Sequence, residues 1–368
     1  MSNLVLYRKY RPQSFKEVVG QEHIIQTLTN SIKRNNISHA YLFCGPRGSG
    51  KTTIARLFAK AINCEKPLNG FEPCNKCSSC LEIMEAKSID LIEIDAASHR
   101  GIDDVRELRE GIKFSPVKSK YKIFIIDECH QLSKDAANAL LKTLEEPPNH
   151  AIFLLATTEP HKMISTIVSR CQRFDFKRLQ VPEITKKLEF IAQKENVKFE
   201  PSALSLIALN ARGSFRDAES LLDQCINFSD KNNVIKVKEI KEILGIVEVS
   251  QISQFVDYLV NKNTKEAIFA LHSMTESGVD LQEFVKTLIF YLRQSLLLKI
   301  NPNFLNLQNS GLSEQELDKM KTQITNLTQK DIHKMLEIFI DVENRMKYLT
   351  LPQLPIELAI LDLTYHES

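Results

Sequence analysis

The segment 45–53, GPRGSGKTT, contains residue types that bind phosphate. It fits G-x-x-x-x-G-K-[ST] at every fixed position and lies between the apolar run 40–44 and the helix-periodic run 53–62. Glycines let backbone N–H groups turn inward around phosphate oxygens, and a helix N-terminus adds partial positive charge. Lys51 is expected to reach the β- and γ-phosphates of a nucleotide, and Thr52 to place its hydroxyl on Mg²⁺. The alternative is a glycine-rich turn that only starts a helix. The predicted phosphate-binding residues are Gly45, Pro46, Arg47, Gly48, Ser49, Gly50, Lys51, Thr52 and Thr53.

Two later apolar runs end in polar residues that could complete such a site. The run 122–126 is followed by Asp127 and Glu128, and a central parallel strand buried on both faces has this pattern. Asp127 is expected to assist Thr52 at Mg²⁺, and Glu128 to polarise an attacking water. An ordinary acidic pair at a strand end is the alternative. The run 151–156 ends in Thr157 and Thr158, either of which could contact the γ-phosphate or the water.

Four of the eight cysteines follow the phosphate-binding helix with the spacing C-x₉-C-x₂-C-x₂-C. Paired C-x₂-C steps bring thiolates together around one tetrahedral ion, so Cys64, Cys74, Cys77 and Cys80 are predicted to form a closed structural zinc site. An iron–sulfur or redox role and two disulfides remain as alternatives. The other cysteines lie in apolar or helical settings that are typical of small buried side chains.

Composition and charge limit the class of protein. The chain has 368 residues, of which 43% are hydrophobic, and a net charge of +2. A nearly neutral chain is not a polybasic nucleic-acid binder, so contacts to DNA must come from local patches or helix termini. The N-terminal segment 1–9 does not have the pattern of a signal peptide, and no long apolar segment follows. We therefore expect a cytoplasmic protein with reduced thiols and no membrane partner.

The order of predicted elements indicates an α/β region followed by helices. Strand candidates alternate with helical patterns up to about residue 178, which favours a parallel sheet covered by helices on both faces. The strands are predicted near 41–44, 90–94, 123–127, 152–157 and 173–176. Helices near 183–196, 201–211 and 214–228 fit a small three-helix domain, and the remaining chain is again helical. We expect a nucleotide-binding domain at 1–178, with the zinc module at about 64–82, a lid at 179–243 and an all-α domain at 244–368.

This order of motifs resembles that of AAA+ ATPases, and several strings narrow the resemblance to the clamp-loader branch. Segment 7–12, YRKYRP, is similar to the segment that clamp-loader ATPases fold over adenine. Segments 140–148, LLKTLEEPP, and 169–171, SRC, also resemble clamp-loader signatures. The zinc module after the phosphate-loop helix is similar to that of the bacterial DNA polymerase III gamma/tau family. The resemblance covers essentially the whole chain and is strongest over 1–225.

The resemblance implies roles for further residues. Thr157 or Thr158 would be the first sensor of nucleotide state, and Arg216 would be the second sensor, reaching the γ-phosphate from the lid. Arg170 would be an arginine finger that acts in trans on the neighbouring subunit's ATP, where a guanidinium stabilises charge on the transferred phosphoryl group. The implied adenine-site residues are Tyr10, Arg11, Pro12 and Val19.

The resemblance also implies a function and partners. The chain would be an ATPase subunit, with ATP, Mg²⁺ and Zn²⁺ as cofactors, that drives loading of a sliding clamp onto primer–template DNA. Nucleotidyl transfer would belong to the polymerase complex and not to this chain. Partners would be delta-like and delta-prime-like subunits and further copies of itself, joined through the C-terminal collar. The chain ends at 361–368, within or just after the last collar helix, so we expect a short gamma-like form. Segment 98–100 and a helix beginning near Asp103 are candidate DNA contacts, with a solvated loop as the alternative.

Two rival functions follow from the same motifs. One is an AAA+ branch-migration motor; the zinc module and the SRC segment argue against it. The other is a scaffold subunit that keeps the fold without hydrolysing ATP, and the intact set of Lys51, Thr52, Asp127 and Glu128 argues against that.

Overall fold

A computed structural model gives the fold. It describes residues 4–98, 111–112, 114–228, 234–244, 248–301, 314–325 and 327–364. The chain forms two compact units, Met1–Val237 and Lys238–Ser368, which are described separately below. Among the described helices, none combines the length and the apolar character needed to cross a lipid bilayer.

A five-stranded parallel sheet forms the centre of the first unit. Its strands are β1 (Ala40–Cys44), β2 (Leu91–Asp95), β3 (Lys122–Asp127), β4 (Ala151–Thr157) and β5 (Gln172–Asp175). The strand order is β2-β3-β4-β1-β5. All residues of β1 and β4 are buried, because helices cover both faces of a parallel sheet and each strand residue faces apolar side chains.

This strand order brings the predicted chemistry to one edge of the sheet. The carboxyl ends of β1, β3 and β4 lead into the phosphate loop, Asp127 and Thr158 respectively. Parallel strands end at the same edge, and ligands of open α/β sheets bind in the crevice outside these ends. The loop is joined directly to the sheet, since the backbone N–H of Gly45 donates to the carbonyl of Thr157 at 3.2 Å.

Helices of the first unit cover the sheet and then form a separate helical layer. Those around the sheet are α1 (Leu6–Lys9), α2 (Glu22–Lys33), α3 (Lys51–Ile62), α4 (Ser78–Met84), α5 (Lys134–Glu145) and α6 (Ser165–Val168). Short 3₁₀ turns occur at Phe15–Glu17, Cys129–Gln131 and Pro160–Lys162. The helices after the sheet are α7 (Val181–Lys194), α8 (Pro201–Asn210) and α9 (Phe215–Phe228). A capping box between Gln180 and Glu183 fixes the start of α7, as expected for a chain leaving a sheet to begin a new helical segment.

The second unit is helical throughout its described part. Its helices are α10, which begins at the unit boundary (Val237–Ile243), α11 (Val249–Val260), α12 (Thr264–Glu276), α13 (Leu281–Ile300), α14 (Glu314–Thr325), α15 (Gln329–Met346) and α16 (Leu354–Thr364). Phe255, Phe284 and Phe339, which are fully buried, lie in its core. The predicted fold class, a parallel α/β sheet followed by helical segments, is confirmed.

Candidate nucleotide-binding site and metal centre

Glycines determine the conformation of the phosphate loop, and the start of α9 packs against it. Gly50 lies at φ +96° directly before α3, a conformation that residues with a Cβ rarely adopt. At Gly48, with φ +74°, a Cβ would collide with the side chain of Ser214. The backbone N–H of Phe215 donates to the carbonyl of Gly48 at 3.1 Å. The first turn of α9 therefore rests against the phosphate loop.

Lys51 lies inside this loop. Its side chain is buried, and Nζ donates to the carbonyls of Gly45 and Pro46, each at 2.9 Å. Burial lowers the pKa of Lys51, while the nearby carboxylates of Glu128 and Asp127 act in the opposite direction. A buried ammonium held by carbonyls of the loop can exchange these acceptors for phosphate oxygens, which form stronger, charge-assisted hydrogen bonds.

Oxygen atoms suited to Mg²⁺ meet beside Lys51. The hydroxyl of Thr52 donates to Oδ2 of Asp127 at 2.7 Å, which joins the start of α3 to the end of β3. Mg²⁺ prefers oxygen ligands and is commonly held by one or two protein side chains together with substrate phosphates. The hydroxyl and the carboxylate therefore fit the ion that the sequence predicts.

Glu128 is held in place by the end of the neighbouring strand. Its backbone is left-handed (φ +47°, ψ +43°), which turns the side chain away from the line of β3. Oε2 accepts the hydroxyl of Thr158 at 2.8 Å and the backbone N–H of Thr158 at 3.1 Å. Of the two predicted sensor threonines, Thr158 is the one that contacts Glu128.

Thr157 has a different environment. It is fully buried, and its hydroxyl lies 2.9 Å from Nδ1 of His130. That imidazole nitrogen is also 3.4 Å from Oε2 of Glu128. His130 thus stands between Thr157 and Glu128, and the sequence analysis did not single it out. Its position two residues after Glu128 was the available signal.

A cavity of about 540 Å³ opens beside the loop, within the range of small-molecule sites. Its lining includes the predicted residues Arg11, Pro12, Val19, Arg47, Gly48, Ser49, Gly50, Lys51, Thr52, Thr53, Asp127, Glu128, Thr158 and Arg216. It also includes Tyr7, from the segment 7–12 that the resemblance places over adenine. The remaining lining residues were not singled out by the sequence analysis, namely Glu17, Val18, Asp95, Ala97, His130, Gln131, Glu159, Leu179, Lys187, Phe215 and Glu219. The structure therefore brings the N-terminal segment, the loop, the strand ends and α9 together around one cavity.

Tyr10, a predicted adenine-site residue, is not part of this lining. Its hydroxyl donates to Oε1 of Glu195 at 2.5 Å, and Nζ of Lys9 reaches the same oxygen at 2.7 Å. Burial, followed by the carboxylate of Glu195, raises the pKa of Tyr10 to about 12. Glu195 caps the end of α7. Tyr10 therefore ties the N-terminal segment to the lid helices.

The two predicted functional arginines have different surroundings. The guanidinium of Arg216 lies 4.9 Å from the ring centroid of Tyr7 and borders the cavity. Hydrogen bonding to Arg216 is the main cause that lowers the pKa of Tyr7. Arg170 lies outside the cavity lining; its guanidinium contacts Oε1 of Glu145 at 2.8 Å and the carbonyl of Thr166 at 2.9 Å.

The four predicted metal-ligating cysteines converge. The sulfur atoms of Cys64, Cys74, Cys77 and Cys80 all lie within 4.8 Å of one another. All are free thiols, as are the remaining cysteines of the chain. A closed set of sulfur donors at such distances fits a tetrahedral metal ion and argues against the disulfide alternative.

Backbone N–H groups surround the sulfur of Cys74 as they would a thiolate. Those of Lys76 and Cys77 donate to it at 3.5 and 3.3 Å, and Asn75 adopts the positive φ that this turn requires. These donors, above all the backbone N–H of Lys76, lower the pKa of Cys74 to about 6. Burial instead raises the pKa of Cys64 and Cys80. Cys74 is thus prepared to bind a cation.

Of the candidate DNA contacts, His99, Arg100 and the segment from Asp103 lie outside the described residues. Ser98 is described, and its hydroxyl donates to Oδ2 of Asp95 at 2.9 Å.

Three family profiles match consecutive parts of the chain. "DNA polymerase III, delta subunit" matches residues 20–180, and "DNA polymerase III clamp loader subunit, ATPase lid domain" matches residues 183–231. "DNA polymerase III subunits gamma and tau domain III" matches residues 235–368. The last match covers the second compact unit.

Individual relatives are similar over the whole chain. DNA polymerase III subunit tau of Bacillus subtilis is 43% identical over all of this chain, which spans 65% of that protein's length. The chain thus covers less than two thirds of that relative. DNA polymerase III subunit gamma of Buchnera aphidicola from Acyrthosiphon pisum is 34% identical, with 98% of each chain covered. Among solved structures, the Holliday junction branch-migration motor RuvB of Thermotoga maritima is similar over 74% of this chain and 86% of that one, with TM-score 0.47 and 19% identity. A likeness at that level does not bear on function.

Proposed function

Since this chain belongs to the DNA polymerase III gamma/tau family, we propose that it is an ATPase subunit of a clamp loader. In this function, ATP binding and hydrolysis drive the loading of a sliding clamp onto primer–template DNA. The observation that carries the proposal is the group formed by Thr52, Asp127, Glu128 and Thr158 beside the phosphate loop. A scaffold subunit without hydrolysis would not need a carboxylate held in this position.

Each residue around the cavity has its own role in ATP hydrolysis. Lys51 binds the β- and γ-phosphates, and Thr52 and Asp127 hold Mg²⁺, which supplies positive charge to the phosphate oxygens. Glu128 accepts a hydrogen bond from the attacking water and orients it toward the γ-phosphate. Its hydrogen bond with Thr158 keeps the carboxylate at the strand edge, so that Thr158 links the state of the nucleotide to the position of Glu128.

Arg216 and the N-terminal segment complete the site within one subunit. Arg216 faces the cavity from α9 and is placed to reach the γ-phosphate as the second sensor. Arg11, Pro12 and Val19 border the same cavity and cover the base. Contact between Phe215 and the loop gives the lid a direct means of responding to phosphate.

Arg170 acts on a neighbouring subunit. Its position outside the lining of its own cavity, with a partly exposed guanidinium, supports action in trans. On assembly, the guanidinium exchanges Glu145 for the γ-phosphate of the adjacent site. An arginine supplied in this way contributes ~10³–10⁵ in rate to phosphoryl transfer in related enzymes.

The cysteine cluster is a structural zinc site. Four sulfur donors leave no open position for catalysis, and thiols in this state suit a reducing compartment such as the cytoplasm. We assign residues 1–178 to nucleotide binding, 179–243 to the lid and 244–368 to a collar. The collar joins further copies of the chain and the delta-like and delta-prime-like subunits. Sliding clamp and primer–template DNA bind the assembled ring.

Phosphate release from the assembled complex tests the function. Wild-type chain combined with its partner subunits should hydrolyse ATP faster when clamp and primed DNA are added. Glu128→Gln should bind ATP with nearly unchanged affinity and lose most of this stimulated turnover. Equal turnover by the wild type and the variant would indicate a scaffold and would overturn the proposal.

A further inference from the structure

Glu219 has an unusual environment for a carboxyl group. It lies on α9, one helical turn after Arg216, and is only 4% exposed. Its Oε1 is buried and has no hydrogen-bond partner among the described residues. A buried polar atom without a partner costs free energy, so its retention in a cavity wall points to a ligand that supplies the missing hydrogen bond.

The surroundings of the carboxyl group favour its neutral form near physiological pH. Burial raises the pKa of Glu219 to about 8, and the ammonium of Lys187 on α7 opposes this only in part. The other charged group of the lid that borders this cavity is Arg216, on the same helix. A neutral carboxyl group has both an O–H donor and a carbonyl acceptor, as the side chain of glutamine has an N–H donor and an acceptor.

The part of the cavity formed by the N-terminal segment and the lid suits a flat base. Its apolar lining residues are Pro12, Val18, Val19, Leu179 and Phe215. These side chains can pack on the faces of a base but cannot read its edge. Glu17 also borders the cavity, but its two oxygens accept the N–H of Gln13 and the hydroxyl of Ser14.

We propose that Glu219 determines the preference of the site for adenine. Its O–H donates to the ring nitrogen N7, and its carbonyl accepts the exocyclic amino group. Side-chain amides form the same paired contacts with adenine in DNA recognition. On the N7 edge guanine has a carbonyl where adenine has the amino group, so guanine presents two acceptors and the single O–H of Glu219 can satisfy only one of them. The inference deepens the proposed function, because it rests on the cavity being an ATP site.

Nucleotide titrations of the full chain test this inference. Affinities for Mg·ATP, Mg·dATP and Mg·GTP are measured by calorimetry at about pH 7, below the raised pKa of the carboxyl group. Glu219→Leu should reduce the preference for ATP over GTP by about 10-fold, because discrimination by one paired contact is worth ~5- to 100-fold. Glu219→Gln should retain the preference, since the amide keeps a donor and an acceptor. Glu189→Leu, at an exposed position of the same lid, is the matched control and should match the wild type.

Each other outcome has a definite meaning. An unchanged ATP-to-GTP ratio in Glu219→Leu, or an equal loss of affinity for both nucleotides, overturns the inference. A change confined to the ratio between ATP and dATP would assign Glu219 to the ribose, which also overturns it. If wild-type protein bound neither nucleotide any better than Lys51→Ala, the proposed function itself would fail. Thermal unfolding of both Glu219 variants establishes that they are folded before the affinities are compared.

Discussion

The carboxylate of Glu72, in the cysteine module, accepts the backbone N–H of Phe15 at 3.1 Å. Both residues are buried. A second contact holds the same N-terminal segment. Nζ of Lys60 on α3 donates to the carbonyl of Gln13 at 3.0 Å and to its side-chain oxygen at 2.9 Å. The segment proposed to cover the base is therefore anchored on the cysteine module and on the helix that leads into it.

This contact predicts that the cysteine module affects nucleotide affinity. Glu72→Ala should weaken ATP binding roughly 5- to 10-fold, because loss of a hydrogen bond to a charged group releases the segment 11–19. Metal content should not change, since Glu72 is not a ligand. Glu65→Ala, which alters an exposed carboxylate of the same module, serves as control. Equal ATP affinity in Glu72→Ala and wild type would mean that the anchor does not matter for binding.

Removal of the metal should destabilise the first unit. We expect about one zinc per chain by elemental analysis, with four thiols becoming reactive when a strong chelator is added. The melting temperature should fall in parallel, because the metal joins Cys64, just after α3, to the loop and short helix that contain Cys74, Cys77 and Cys80. Cys77→Ser should reproduce this loss, whereas Cys171→Ser, outside the cluster, should retain full zinc content. Retention of zinc by Cys77→Ser would exclude the proposed ligand set.

The hydrogen bond between Thr158 and Glu128 predicts a specific kinetic defect. Thr158→Val removes the hydroxyl with little change in volume. Glu128 then keeps the backbone N–H of Thr158 but loses the shorter of its two hydrogen bonds to this residue, so its carboxylate is less firmly oriented. ATP affinity should change little, while turnover should fall about 10- to 100-fold, since a misplaced carboxylate orients the water poorly. Thr157→Val instead removes the partner of His130 in a buried position and should chiefly lower stability. Single-turnover hydrolysis and thermal unfolding separate the two effects.

The proposed arginine finger can be tested by substitution. Arg170→Ala should preserve ATP binding and reduce DNA- and clamp-stimulated hydrolysis by at least about 10²-fold. The reason is that, in the proposed function, the guanidinium acts only across a subunit interface. Arg173→Ala is a suitable control, because Arg173 is also a partly exposed arginine and pairs with Asp175. Weakened ATP binding with intact stimulated turnover would contradict action in trans.

Glu219 predicts a pH dependence of stability. The unfolded carboxyl titrates near its ordinary value of 4.5, and the folded one at about 8. Between these values the folded chain holds a proton that the unfolded chain has lost, so the free energy of unfolding falls as pH rises. Glu219→Gln should remove this slope. Denaturant unfolding at several pH values measures this effect. As the pH rises from 4.5 to about 8, the free energy of unfolding of Glu219→Gln should increase relative to that of the wild type by a few kcal/mol, on the order expected from the shift in pKa. Parallel pH profiles would mean that Glu219 is charged when folded.

Local sequence patterns were sufficient to predict much of the fold. The predicted strands near 123–127 and 152–157 correspond to β3 and β4, because strands buried on both faces are continuous apolar runs that can be recognised without tertiary information. The phosphate loop and the C-x₂-C steps could also be recognised from the sequence, since their chemistry depends on residues close together in the chain.

Contacts between segments that are distant in the chain could not be predicted from local sequence patterns. Thr157 and Thr158 are neighbours in sequence, but their surroundings differ. Thr157 is the last residue of β4 and its buried hydroxyl lies beside His130, whereas Thr158 follows the strand and contacts Glu128. Tyr10 likewise meets Glu195 rather than the cavity, a pairing that depends on where α7 ends.

The sequence by itself determined which groups are available for phosphate, metal and water chemistry, because each motif contains its residue types at short, fixed spacings. The tertiary structure alone decided which of these groups meet. The order of strands in the sheet brings Thr52 to Asp127, and burial within the lid raises the pKa of Glu219. Both effects arise from packing between segments that are far apart in the chain.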